Sequence, residues 1–314
     1  MGLITTKPLV YDADSPDAKI QGLYEGTCKD ARGAHKLEAR VVAQGGGVYK
    51  VFIRQTLPDG KVAKIDGIAT TRGEKVSFKC VAGGVEWNGV YAHAAFTGGC
   101  GEGCTLHLKR VQRKPPTLGK KPPSGAIVLL GGKNPDDELV RRKAKDGTEP
   151  PWNPVAADGS MQITKGGWVS KRLFDGSFNL HVEFQVPFMP TEHGQKRGNS
   201  GVYLPNGDEI QVLDSFGDTT YLGGGCGGLY RYKDPDAFDT FSLASLPPLE
   251  WQTYDVEYRV SPGAKPHVTV YHNGIKIHDN VELKKDAKAG AFHFQDHGNP
   301  VRYRNIWVLP VVGK

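Results

Sequence analysis

Two glutamates and a histidine are the side chains best suited to acid–base work in this chain, and the residues around them are of the kind that hold a polar substrate. Glu183 lies in Phe178-Asn-Leu-His-Val-Glu-Phe-Gln-Val186, where Leu180, Val182, Phe184 and Val186 share one face of a predicted strand and His181, Glu183 and Gln185 share the other. Glu209 lies in Asp208-Glu-Ile-Gln-Val-Leu-Asp-Ser215, where Glu209 and Gln211 alternate with Ile210 and Val212. A carboxylate and an amide in mid-strand differ from the Thr, Lys or Ser that usually cover a solvated sheet face. Side chains held on a sheet also make more precise sites than side chains on loops. Glu183, Glu209 and His297 are therefore the expected catalytic residues. One would act as base and another as acid. Arg197 and Arg302 are placed to neutralise a developing anion, while Asn199, Gln211 and Gln295 would contact substrate. Two carboxylates held ~5 Å apart would instead suit a paired acid and nucleophile.

These residues need a sheet to carry them. Gly201–Leu204 and Ile210–Leu213 flank Pro205-Asn-Gly-Asp208, a strong hairpin signal. A second hairpin is expected at Asn273-Gly274, between His267–His272 and Ile275–His278. With Trp251–Arg259 and Val301–Leu309 also reading as strands and no long amphipathic helix, residues 125–314 are expected to form two antiparallel sheets packed face to face. Residues 1–113 read as a small antiparallel β-domain, a barrel or a sandwich, of undefined role. The Pro-rich segment 114–124 reads as a stiff linker. The fold class is all-β.

Length and composition narrow the function classes. With 314 residues and 41 glycines the chain is turn-rich and large enough for two domains. No apolar run approaches the ~18 residues of a membrane helix. The net charge of +6 is spread along the chain, and its one basic concentration, Lys109 to Lys121, falls in the Pro-rich stretch without a nucleic-acid-binding motif. Four of the five cysteines, Cys28, Cys80, Cys100 and Cys104, fall in the first domain. Disulfides Cys100–Cys104 and Cys28–Cys80 are expected, with a four-thiolate zinc site as the rival. That cysteine usage points to a periplasmic or extracellular protein whose signal peptide is not in this chain. Asp214 is expected to be a buried loop anchor, and Cys226 lies in Gly223-Gly-Gly-Cys-Gly-Gly228, read as a flexible gating loop beside the cleft.

Gly198-Asn-Ser-Gly-Val-Tyr203, Asp208-Glu-Ile-Gln-Val-Leu-Asp-Ser215 and Gln295-Asp-His-Gly-Asn-Pro-Val-Arg-Tyr-Arg-Asn-Ile-Trp307, in that order, resemble the 3-keto-disaccharide hydrolase family. The likeness takes in Trp251-Gln-Thr-Tyr-Asp255 and His272-Asn-Gly274 and spans roughly residues 125–311. At Asp208 the chain departs from the family, which commonly has Tyr before the Glu. The resemblance implies a jelly-roll sandwich of the concanavalin A-like type and a carbohydrate substrate oxidised at C3, cleaved by proton abstraction at C2 and elimination, then hydration. A divalent metal ion is the one cofactor this chemistry leaves room for. A non-catalytic, lectin-like carbohydrate-binding protein is the alternative.

Overall fold

The computed structural model describes residues 13–31, 33–57, 59–131, 134–144, 146–236 and 244–311, and the chain divides into two units. In the first, short alternating runs broken by Gly-containing turns can only pair locally, and they form successive hairpins. The strands are β1 (Gly22–Asp30), β2 (Gly33–Gly45), β3 (Val48–Thr56), β4 (Val62–Arg72), β5 (Lys75–Ala82), β6 (Val85–Ala92), β7 (Ala95–Cys100) and β8 (Thr105–Val111). Each pairs with the next, and β1 closes on β8, with Leu23 opposite Val111 and Lys29 opposite Thr105. The first domain is thus a closed eight-stranded barrel, which leaves no open sheet edge. Leu37, Val41, Ile53, Phe78, Phe96 and Leu108 fill its interior. Strand glycines make the closure possible: a Cβ on Gly26 would fall 1.9 Å from the His107 carbonyl oxygen.

Cys100 and Cys104 are joined by a disulfide, as the short spacing suggested. The expected Cys28–Cys80 bond is absent. Cys28 is on β1, whose neighbours are β2 and β8, and Cys80 is on β5, so barrel order keeps them apart.

The second unit is a two-sheet sandwich built from β9 (Ile127–Leu130), β10 (Leu139–Arg141), β11 (Met161–Gln162), β12 (Trp168–Ser170), β13 (Phe178–Gln185), β14 (Ser200–Tyr203), β15 (Glu209–Val212), β16 (Gln252–Arg259), β17 (His267–His272), β18 (Ile275–Glu282), β19 (His293–Phe294) and β20 (Arg302–Pro310). One sheet has five strands in the order β10-β12-β19-β14-β15. The other runs β11-β20-β13-β16-β17-β18, with β9 added beside β20. The period-2 patterns work as expected: Val182, Phe184, Val202, Ile210, Val212, Tyr254, Phe294 and Tyr303 point between the sheets and form one buried core. The Asn206-Gly207 turn joins β14 to β15, with Gly207 at φ +89°. Among the described residues no helix is long and apolar enough to cross a membrane.

Residues 114–124 do not behave as a free spacer. They group with the second unit, while Phe188–Glu192 groups with the first. The segment lies across the outer face of the larger sheet: Thr117 Oγ1 donates to Asp255 Oδ2 at 2.6 Å, Gly119 N to Glu183 Oε1 at 2.5 Å, and Asn305 Nδ2 to the Lys120 carbonyl at 3.0 Å. A proline-rich strap loses little entropy on docking, so a few hydrogen bonds suffice to hold it.

Candidate functional site

Glu183 and Glu209, read together from sequence, are carried by different sheets. Glu183 is on β13 and points away from the core on the outer face of the larger sheet, while Glu209 is on β15 and points away from the core on the outer face of the smaller one. Both sheets and the core between them separate the two carboxylates. Paired-carboxylate hydrolysis through these two residues is therefore excluded, since it needs a separation of ~5 to 10 Å across one substrate. His297 completes neither pair and is exposed on the loop between β19 and β20. That loop is held by Asp296, which accepts from Gly166 N at 2.9 Å, and by Asn299 Oδ1, which accepts from Asn199 N at 2.7 Å.

Glu183 is pinned. Besides Gly119 N, its carboxylate accepts from Arg304 Nε at 2.7 Å and Asn305 Nδ2 at 2.8 Å, and His181 Nε2 lies 3.5 Å away. Burial alone would raise its pKa, but these partners overcome that and hold it at about 2. His181 shows the same balance with the opposite charge: burial pulls it down, Asp255 at 2.8 Å from Nδ1 and Glu183 pull it up, and the net shift is upward. A carboxylate with so little proton affinity and every lone pair engaged is a poor base. Its work is to anchor the strap and the Arg304 layer. Glu183→Gln is expected to cost about 2–4 kcal/mol at neutral pH in urea denaturation. The sign follows from the depressed pKa. The stabilisation is present above the ordinary value of 4.5 and is lost as pH falls towards 2, so the wild type and the variant should converge in acid.

Glu209 is in the opposite condition. It is 6% exposed, no salt bridge reaches it among the described residues, and burial lifts its pKa to about 7, with the Tyr203 hydroxyl and the Lys285 ammonium offsetting only part of that. The pairing of β14 with β15 puts Tyr203 opposite Glu209 and Gly201 opposite Gln211. A Cβ on Gly201 would lie 2.1 Å from Glu209 Oε1, so glycine here is what lets the carboxylate lie over β14. Gly201→Ala should therefore displace the carboxylate and lower turnover at least about tenfold with little loss of stability, because the clash is with a side-chain end and misplacement of a reacting group is costly. Unchanged turnover in that variant would separate Glu209 from the chemistry.

Around Glu209 the smaller sheet presents a continuous polar layer. Gln295 Nε2 donates to the Tyr203 hydroxyl at 3.1 Å, and the Tyr203 ring stacks on His293 with centroids 4.9 Å apart. Arg142 Nη1 lies 2.9 Å from His293 Nε2. Arginine can only donate, so that nitrogen accepts and the other carries the proton. Burial and then Arg142 hold His293 at about 4, hence neutral. On the other side Gln195 Oε1 accepts from Gln211 Nε2 at 3.0 Å and from Asn199 Nδ2 at 3.1 Å, and Asn199 Oδ1 is buried with no partner among the described residues. Tyr230 N donates to the Glu209 carbonyl, and the Tyr230 and Tyr221 hydroxyls meet at 2.8 Å beneath Arg231.

Three of the expected substrate contacts, Asn199, Gln211 and Gln295, thus lie on the Glu209 side. Two do not. Arg197 is fully buried and its Nε donates to Asp214 Oδ2 at 2.6 Å, so it is not open to substrate. Arg302 is on the larger sheet, donating to Ser160 Oγ with Asp158 3.6 Å away. His181 and His293 sit on different sheets and cannot share a metal ion. Around Glu209 the donors are phenols and amides with one carboxylate, which is not the oxygen set a divalent ion requires. The Gly223–Gly228 loop is also not a gate: Gly227 N donates to the Gln211 carbonyl and Gln211 N to that of Gly228, both at 2.9 Å, so the glycines extend the sheet beside β15. Cys226 within it is buried and its thiol is pushed up by that burial, against nucleophilic use. Trp168 is part of the buried core.

Sequence reading missed Tyr203, Arg142 and Tyr230, and did not join His293 to Glu209. For His293 a signal existed: in Ala291-Phe-His-Phe-Gln295 the alternation puts it on the same face as Gln295.

The family described as 3-keto-alpha-glucoside-1,2-lyase-like domain matches residues 125–309. Two crystal structures of proteins called putative glycosyl hydrolases, both from Parabacteroides distasonis ATCC 8503, are similar in structure. One shares 31% identity, covers 60% of this chain and 85% of its own, with a TM-score of 0.50. The other shares 18% identity, covers 60% of this chain and 95% of its own, with a TM-score of 0.44. No curated protein matches. By the match over residues 125–309, which is more than half its length, this chain belongs to the 3-keto-alpha-glucoside-1,2-lyase-like family.

Proposed function

We propose that the second unit cleaves glycosides whose sugar carries a ketone at C3, with Glu209 as the base that removes the C2 proton. The ketone acidifies that proton, so a carboxylate with pKa near 7 is matched to the task at neutral pH. Proton removal places charge on the C3 oxygen. The resulting enolate collapses with cleavage of the C1–O bond to the aglycone, and water then adds across the C1–C2 double bond. The proton held by Glu209 is available to the departing oxygen. Tyr203, kept neutral by burial, and the Gln295 amide are donors for the developing oxyanion. Asn199 Oδ1, buried without a partner among the described residues, and the Gln195–Gln211 pair suit sugar hydroxyls. The name of the family and the description of the 31%-identical relative as a glycosyl hydrolase support a glycoside-acting role.

The observation that carries the reading is the contrast between the two glutamates: one carboxylate, on a rigid strand, has no ion pair among the described residues and is lifted to about 7, while the other is paired with Arg304 and held ionised at about 2. Incubation with 3-keto disaccharides in heavy water tests it. Free sugar with deuterium at C2 is expected. Tight binding without release would mark a lectin-like protein, and release without deuterium would remove the C2 step.

A further inference from the structure

Three of the five cysteines converge at one end of the barrel. Cys28 is on β1, Cys100 ends β7, and Cys104 directly precedes β8. Because β8 pairs with both β7 and β1, closing the barrel carries Cys28 to the turn that links the other two, and the three sulfurs all lie within 4.8 Å of one another. A tetrahedral zinc ion with Zn–S bonds of ~2.3 Å needs sulfurs about 3.8 Å apart, so little rearrangement separates this triad from a ligand set. The turn has the matching form: three residues lie between Cys100 and Cys104, within the C-x2–4-C spacing of structural zinc sites, and Gly101 and Gly103 hold it at φ +88° and +68°. Cys28 is 1% exposed on the interior face. Its register partner His35 shares that face and bonds Asp30 at 3.3 Å.

We propose that, when the Cys100–Cys104 bond is reduced, Cys28, Cys100 and Cys104 bind one zinc ion as thiolates, making this end of the barrel a metal site that oxidation switches off. The steps balance. A phosphine reductant takes the oxygen of one water and leaves as its oxide, the S–S bond gains two electrons and two protons, and zinc then releases the thiol protons to solvent. In the oxidised protein two of the three ligands are tied to each other and the site is lost.

The test uses the full chain, reduced anaerobically with a phosphine and desalted, then titrated with cadmium and with zinc. One equivalent should bind, with a thiolate-to-cadmium charge-transfer band in the ultraviolet, and the oxidised protein should bind none. Cys28→Ser should weaken binding at least about 100-fold. Cys104→Ser, altered in a turn rather than in the barrel interior, should do the same and serves if the first variant does not fold. No uptake by the reduced protein, equal uptake by the oxidised one, or full affinity in a folded Cys28→Ser or Cys104→Ser variant overturns the proposal.

Discussion

Glu209→Gln is expected to reduce sugar release from a 3-keto glycoside by about 100- to 10,000-fold, the range for loss of a positioned base, while ligand binding persists. The pH profile makes the prediction specific. In the wild type the rate should rise with pH through an inflection near 7, because only the ionised carboxylate can take the C2 proton. The residual rate of the variant should show no such inflection. Stability moves the other way. A carboxylate whose folded pKa is raised binds its proton more tightly when folded, so its contribution is most favourable below the ordinary value of 4.5 and is lost as pH rises towards 7. The glutamine variant does not carry that penalty and should be at least as stable as the wild type at pH 8. Lost activity in a protein of undiminished stability assigns the effect to chemistry. A variant that keeps a third or more of the wild-type rate would remove Glu209 from the base role.

The architecture was readable because it depends on local alternation and turn residues. Phe178–Val186, the Asn206-Gly207 turn and the glycine-punctuated hairpins of the barrel each declare a strand and its buried face within a few residues. The site was half readable. Alternation says that Glu183 and Glu209 each point away from a core, but every sandwich has two such faces, and which one a strand's polar side joins depends on strand order. Strand order is set by pairings such as β13 with β16 and β20, across about 70 to 130 residues, and no local pattern records it. Motif proximity also misled. Arg197 and Glu209 are close in the chain, yet Arg197 precedes β14 on the inward side and is buried with Asp214. The linker failed for a different reason: prolines signal an extended segment but do not say whether it is solvated or laid on a sheet, and Thr117, Gly119 and Lys120 supply the polar contacts that decide it.

The Arg197–Asp214 pair has the largest expected effect on stability. Both side chains are fully buried, and Asp214 Oδ1 also accepts from Phe216 N at 3.1 Å. Burial raises the Asp214 pKa, and the Arg197 guanidinium restores only part of the loss, so the carboxylate depends on its partner. Asp214→Ala leaves a guanidinium buried with no counter-charge and should cost about 3–5 kcal/mol in urea denaturation. Replacing both residues, Arg197→Met with Asp214→Leu, removes both desolvation penalties and should recover most of that loss. The pair also positions the site. Asp214 N donates to the Arg197 carbonyl at 3.0 Å, tying the chain just before β14 to the chain just after β15, the two strands that set Tyr203 against Glu209. Gly198, at φ +61° with the Asp214 Cβ 3.2 Å from where its own Cβ would lie, keeps that junction tight. If the double variant regains stability but not turnover, the ion pair is retained for the geometry of the two strands rather than for folding. If it regains both, apolar packing holds the junction as well as charge does.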